Sequence, residues 1–133
     1  MASAGGHWTK GGRYVSWGQA AHVAARLSDF AHGGGLHFED DVGGSSYGQT
    51  TGTLLARDAA GAVLGGVDYT VYSRRARINW VQVKDAAQGR SIGKRLIAKL
   101  QAEHPDKPVE WTYTTPSGAL LKRSYEKMTR SYA

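Results

Sequence analysis

The chain has 133 residues, of which 41% are hydrophobic, and it carries a formal net charge of +6 at neutral pH. This length suits one domain with one core, and we expect a single domain over residues 1–133. The absence of cysteine excludes disulfides, thiolate metal sites and cysteine nucleophiles. It is typical of a reducing cytoplasm, where we expect the protein to be. No apolar run approaches the length of a membrane span, and the first residues lack a signal-peptide pattern.

The first part of the chain predicts a helix between two segments rich in glycine. We expect residues 1–12 to be flexible and residues 13–15 to form a short strand. Apolar residues at helical spacing then predict a helix over 16–31, with Ser16 as its N-cap. Glycine and serine are dense in residues 32–52, which predicts a mobile loop with a short helical turn at 36–41.

The second part of the chain predicts a β-meander followed by two helices and one more strand. The predicted elements are strands at 53–57, 63–72 and 76–83, a helix with Ile92, Leu96, Ile97 and Leu100 on its apolar face, a strand at 109–114 and a helix at 116–128. This order predicts an α+β domain with a mixed, mainly antiparallel sheet flanked by helices.

The connection between the third of these strands and the next helix has the composition of a phosphate site. A helix N-terminus leaves about four N–H groups without partners and carries partial positive charge. Small residues at Gly89, Ser91 and Gly93 let a phosphate approach this backbone. Full positive charges are added by the basic residues of the same segment: Arg90, Lys94 and Arg95. The segment therefore predicts a pyrophosphate site.

A glycine-rich turn alone also fits a tight connection in any α/β domain. A Rossmann fingerprint fits less well, because the glycine spacing differs and other strands precede this one. A P-loop is excluded because no Gly-Lys-Ser or Gly-Lys-Thr follows the turn.

The same segment resembles the acetyl-CoA-binding segment of the GNAT superfamily of N-acetyltransferases. The positions that match are Val83, Gln88, Gly89, Ile92 and Gly93, whereas Asp85, Ala87 and Ser91 replace the usual proline, aromatic residue and glycine. Serine at 91 keeps its N–H group, but a positive φ there would be strained. The resemblance implies that acetyl-CoA is bound by the following residues: Val81, Val83, Gln88, Gly89, Arg90, Ser91, Ile92, Gly93 and Lys94.

The resemblance also implies a GNAT-like fold in which the third meander strand bulges and splays from the next strand. Backbone N–H groups of residues 81–83 would then polarise the thioester. The family continues past the last helix with further strands, which this sequence lacks. We therefore expect an open sheet edge covered by a homodimer partner or by the N-terminal segment.

The segment Ser124–Met128 is similar to a family segment whose tyrosine lies near the CoA sulfur, which implies Tyr125 as the general acid. Packing of the last helix on the sheet would explain Tyr125 equally well. Glu110 is the first candidate for a general base and Asp68 the second. The acidic residues Glu39, Asp40 and Asp41 could instead recruit a cationic substrate, or be solvated surface groups.

The leading hypothesis is an acetyltransferase that moves an acetyl group directly from acetyl-CoA to an amine of a protein or small molecule. One alternative keeps the fold as a catalytically inactive module that binds CoA or a partner. Another is an acetyltransferase or binder directed at RNA or DNA, for which two basic clusters are available: residues 74–77 and residues 122–130. The five histidines lack the spacing of metal ligands, so we expect no metal. Trp80 and Trp111 are expected to be core or pocket wall.

Overall fold

The computed structural model describes residues 6–8, 14–112 and 115–132, with side chains from residue 21 onward. Its strands are β1 (Gly6–Trp8), β2 (Tyr14–Ser16), β3 (His37–Ser46), β4 (Gln49–Arg57), β5 (Val63–Val71), β6 (Ala76–Val83) and β7 (Val109–Trp111). Its helices are α1 (Trp17–His32), α2 (Ile92–Glu103) and α3 (Pro116–Tyr132), with a 3₁₀ turn at Asp85–Ala87 before α2.

Five strands form the main sheet in the order β3-β4-β5-β6-β7. The first four are antiparallel neighbours, and β7 pairs parallel to β6 after the crossover through α2. The strands β1 and β2 form a separate antiparallel pair that runs directly into α1. The predicted fold class, a mixed and mainly antiparallel sheet with helices, is confirmed, and it is consistent with a GNAT-like fold.

The prediction of a loop over residues 32–52 is wrong for most of its length, because β3 and β4 form a hairpin there. The two turn residues, Tyr47 and Gly48, have φ angles of 52° and 75°. Two positive φ values in a two-residue loop match the twist of a hairpin, and glycine adopts them readily. The helical turn expected at 36–41 is likewise part of a strand. The glycine and serine residues of β3 predicted a loop, whereas the strand forms because its backbone pairs with β4.

Other predicted boundaries agree with the structure within a few residues. The helix expected at 16–31 is α1, and the strand expected at 76–83 is β6 with the same bounds. The final helix extends four residues beyond its predicted end, to Tyr132. The strand expected at 109–114 ends at Trp111 as β7, with Thr112 already outside the strand, and residues 113 and 114 lie outside the described residues. Most of the segment expected to be flexible, residues 1–12, also lies outside them, but residues 6–8 are β1.

The core lies between the sheet and α2, with α1 and α3 packed against α2 and against each other. Its largest fully buried side chains are Leu27, Leu54, Val67, Leu96, Ile97 and Leu100. The start of α2 comes close to β5 at Gly65, where a Cβ atom would lie 3.3 Å from Cγ2 of Ile92 and 2.7 Å from the carbonyl oxygen of Gln82. Glycine at this position therefore fixes the distance between the α2 N-terminus and the sheet. Within the described parts of the chain, no helix has the length and apolar character needed to cross a membrane.

Candidate functional site

The strands β6 and β7 pair over a short stretch. Their described parallel ladder covers three residues of each strand and ends at the pair Ile78 and Trp111. Beyond it, the hydroxyl of Thr112 donates a hydrogen bond of 2.8 Å to the carbonyl oxygen of Ile78. An opening lies beside residues 78–83 of β6.

A cavity of about 820 Å³ occupies this opening. Pockets for cofactors and small ligands have volumes of roughly 300–1,000 Å³ and mainly apolar walls. Its walls come from the second half of β6, the 84–91 turn, the first turn of α2, the end of β7 and one face of α3. Eight of the nine residues predicted to bind the cofactor line it: Val81, Val83, Gln88, Gly89, Ser91, Ile92, Gly93 and Lys94. The ninth, Arg90, is exposed beside the opening.

A β-bulge interrupts β6 beside the cavity. Asp68 is paired with Trp80 and Tyr69 is paired with Ile78, so Asn79 is an extra residue in β6. The Asn79 side chain donates a hydrogen bond of 2.9 Å to the hydroxyl of Thr70 on β5. A bulge leaves one residue out of the ladder and re-aims the backbone groups next to it. The bulge that the resemblance implied is therefore present, at the point where β6 enters the cavity wall.

The N-terminus of α2 presents free backbone donors to the same cavity. Among the described residues, no backbone oxygen accepts a hydrogen bond from the N–H groups of residues 89–94. Gly89 has a φ of 86°, and a Cβ atom there would have no neighbour within 4 Å. Ser91 has a φ of 59° and a ψ of 28°, and its side chain does not cap the helix. Ser91 thus has the positive φ that is strained for serine. Such an arrangement of N–H groups at a helix N-terminus is suited to an anion.

The two basic residues of the first turn of α2, Lys94 and Arg95, both approach the Phe30 ring, but only Lys94 lines the cavity. Lys94 lines the cavity and donates a hydrogen bond of 3.1 Å from its Nζ atom to the hydroxyl of Ser124 on α3. Arg95 instead donates to the carbonyl oxygen of Phe30, near the end of α1, and its guanidinium lies 4.4 Å from the centre of the Phe30 ring. The prediction that Arg95 adds charge to the phosphate site is therefore wrong. Its charge is drawn to the C-terminal end of α1, where carbonyl groups and the helix dipole attract a cation.

Tyr125 lies behind the wall of the cavity. Its ring centre is 6.2 Å from that of Trp111, which lines the cavity, and its side chain is almost completely buried. No described residue forms a hydrogen bond with its hydroxyl group. Burial raises the pKa of the Tyr125 phenol well above its usual value, because the ionised form would lose its hydration. The phenol thus keeps its proton at neutral pH.

The structure does not bring Glu110 to the cavity. Its carboxylate lies 3.4 Å from Nε of Arg75 and 3.6 Å from Nε of Arg77. Asp68, the second candidate for the base, is exposed and accepts a hydrogen bond of 2.7 Å from the hydroxyl of Thr53. It is the β5 neighbour of Trp80, which lines the cavity. Of the two carboxylates, Asp68 is the one beside the bulge.

The acidic residues of β3 have partners on neighbouring strands. Glu39 forms a salt bridge of 2.7 Å with Arg57, and Asp40 accepts a hydrogen bond of 2.6 Å from the hydroxyl of Tyr69. Asp41 is exposed and is paired in register with Thr53 on β4. Among the described residues, no group of three or more histidine, aspartate or glutamate side chains is arranged to hold a metal ion.

The resemblance placed α3 near the cofactor through Tyr125, but a different set of residues on this helix lines the cavity. The residues of this helix that line it are Ser117, Gly118, Leu120, Leu121 and Ser124. They recur at three- and four-residue intervals and thus lie on one helix face. This spacing was visible in the sequence, but only the contact of α3 with α2 shows that the face lines a cavity.

Comparisons of the chain with family models, with curated proteins and with solved structures give no significant match. The functional interpretation therefore depends on the site itself and on the resemblance of the segment around Gly89.

Proposed function

We propose that the protein is a GNAT-type N-acetyltransferase that binds acetyl-CoA in the opening between β6 and β7. The observation that carries this proposal is the meeting of two features at one cavity: the bulge at Asn79 and the N–H groups of residues 89–94, from which no described backbone oxygen accepts a hydrogen bond. The resemblance implied the bulge, and the residues around Gly89 predicted the anion site. A tight strand-to-helix connection alone would not require the bulge.

In this proposal the CoA pyrophosphate binds at the N-terminus of α2. The free N–H groups and the helix dipole favour the negative charge there, and Lys94 adds a full positive charge. The pantetheine arm lies along the cavity-lining residues 78–83 of β6. Its amide groups hydrogen-bond the backbone of Val81 and Val83, as an added strand would.

The reaction that we propose is direct transfer without a covalent enzyme intermediate. The nitrogen of a neutral amine attacks the thioester carbonyl carbon, the new C–N bond forms, and the C–S bond breaks. Backbone N–H groups at the bulge stabilise the oxyanion. Asp68 accepts the proton that the amine loses, through a bridging water, and the released thiolate of CoA takes up a proton.

The resemblance assigns Tyr125 to the departing sulfur, but its side chain is buried behind Trp111 and does not line the cavity. We therefore do not assign it the role of general acid, and the released thiolate takes its proton from water. Purified protein incubated with acetyl-CoA and a panel of primary amines, with detection of free thiol, tests the activity.

A second candidate function is a CoA-binding module without catalysis. It is favoured by the position of Glu110, whose carboxylate is engaged by two arginines outside the cavity, and by Tyr125, which is not on the cavity wall. Saturable binding of CoA without thiol release from any acetyl-CoA and amine mixture would support this candidate over the enzyme.

A further inference from the structure

The inner end of the cavity is formed by Ile78 and Trp111. They are the last pair of the β6–β7 ladder, and both line the cavity. Residues in register on neighbouring strands project to the same face of a sheet. Ile78 is buried in the core on the helix side of the sheet, so Trp111 also lies on that side. The apex of the opening is therefore closed by one aliphatic and one indole side chain.

The structure offers no room to deepen the cavity behind Trp111. The Tyr125 ring lies behind it and is only 4% exposed, and the two rings are inclined at 56°. Trp111 itself is partly buried and packs against the core. Protein interiors are close-packed, so a ring that rests on a buried neighbour cannot withdraw without disturbing that neighbour. Trp111 is consequently a fixed wall.

The length of β6 sets where the reactive end of a bound CoA lies. Five residue steps separate Val83, next to the proposed pyrophosphate site, from Ile78 at the apex, which corresponds to about 17 Å of strand. Every residue from Ile78 to Val83 lines the cavity, so an arm that starts at the N-terminus of α2 and runs the length of this lining ends near Asn79. This step rests on the proposed function, because it places CoA in the cavity.

We propose that Trp111 is the residue that limits the length of the acyl group. An acetyl or propionyl group fits at the apex, whereas each further methylene is directed at the indole ring and the Tyr125 ring behind it. Replacing Trp111 by leucine shortens this wall and creates room for a longer chain. The protein is therefore expected to select short-chain acyl-CoA donors.

Calorimetric titration with CoA, acetyl-CoA, propionyl-CoA and hexanoyl-CoA tests this role without requiring an acceptor. For the wild-type chain we expect hexanoyl-CoA to bind at least about tenfold more weakly than acetyl-CoA, since poor fit of a chain is worth factors of this order. For Trp111→Leu we expect hexanoyl-CoA to bind within about threefold of acetyl-CoA, with the affinity for CoA itself unchanged.

The matched control is Tyr47→Leu. Tyr47 is a fully exposed aromatic residue in the β3–β4 turn and does not line the cavity. We expect its replacement to leave the ratio of hexanoyl-CoA to acetyl-CoA affinity as in the wild-type chain. Trp111→Phe is a milder variant that tests the role of Trp111 if the leucine variant does not fold. We expect it to reduce the difference between the affinities for acetyl-CoA and hexanoyl-CoA, but by less than Trp111→Leu does.

The two proposals can fail separately. Equal affinity of the wild-type chain for acetyl-CoA and hexanoyl-CoA overturns the role of Trp111 but leaves the CoA site intact. The same holds if the folded Trp111 variants keep the wild-type ratio. Absence of binding of every CoA compound to the wild-type chain overturns the proposed function and this inference with it.

Discussion

Gly93 and Leu121 lie in direct contact where α2 meets α3, since a Cβ atom on Gly93 would be 3.2 Å from Cδ2 of Leu121. Both residues line the cavity. Glycine at this position thus lets the two helices approach and keeps the first turn of α2 open to a ligand.

Replacement of Gly93 by valine is expected to reduce the affinity for CoA by at least tenfold. A branched side chain must displace Leu121, and it also covers N–H groups that the proposed pyrophosphate site uses. Gly44→Val is the matched control, because a Cβ atom at Gly44 meets nothing within 4 Å and the residue lies in β3. Calorimetric titration of both variants measures the effect. Wild-type affinity in a folded Gly93→Val variant would contradict the proposed site.

Ser91→Gly is expected to stabilise the folded chain by roughly 0.5–1 kcal/mol, because serine adopts the left-handed conformation at a cost that glycine avoids. The relevant angle is the φ of 59° at Ser91. Ser91→Ala retains the strain and serves as the control, for which we expect no such gain. Urea-induced unfolding gives the free energies. An equal gain in both variants would show that the hydroxyl group, not the backbone, is responsible.

Tyr69→Phe is expected to lower the free energy of unfolding, whereas Tyr125→Phe is expected to leave it unchanged or raise it. The Tyr69 hydroxyl donates to Asp40, so its removal should cost about 1–2 kcal/mol. The Tyr125 hydroxyl is buried without a partner among the described residues, so its removal should be neutral or stabilising. Unfolding in urea at neutral pH measures both. A loss at Tyr125 as large as that at Tyr69 would mean that the Tyr125 hydroxyl has a partner in the folded chain.

The same two variants test the alkaline behaviour. Burial raises the pKa of both phenols, and for Tyr69 the hydrogen bond to Asp40 adds to this. The unfolded chain therefore releases these protons near pH 10 while the folded chain still holds them. The contribution of the two protonated phenols to the free energy of unfolding is therefore complete below about pH 10 and is lost as the pH rises above it. Above about pH 10, the free energy of unfolding should fall less steeply with pH in each variant than in the wild-type chain. Identical slopes in all three proteins would contradict a raised pKa for these two phenols.

Asp68→Asn is expected to lower kcat at neutral pH more than Glu110→Gln does, because only Asp68 lies beside the bulge. The measurement requires the amine acceptor that the thiol-release screen identifies. Loss of one side-chain base typically lowers a rate by 10²–10⁴-fold, roughly. A larger effect of Glu110→Gln would reinstate Glu110 as the base, and its contacts with Arg75 and Arg77 would then have to change during the reaction.

The strand 76–83 and the turn around Gly89 that lines the cavity were predicted from local patterns, because both depend on backbone conformation and small side chains. The resemblance implied a bulge in this strand, but its position at Asn79 left no signal. The direction of Arg95 depends on the carbonyl group of Phe30, which is 65 residues away in the chain.

The hairpin β3–β4 was missed for a related reason. Its first strand contains two glycines and two serines, which favour loops when read locally. Pairing with β4 and the turn at Tyr47 and Gly48 overcome this preference. Local composition therefore predicted the middle of the sheet better than its edge.

Titration of the purified protein with acetyl-CoA, with desulfo-CoA as a parallel ligand, tests the central claim most directly. The experiment is made in moderate salt, so that nonspecific attraction to the net positive charge is screened. We expect saturable binding of both ligands in the micromolar range, weakened at least tenfold in Gly93→Val. Absence of binding at millimolar ligand would contradict the claim, and the segment around Gly89 would then be a tight turn between a strand and a helix.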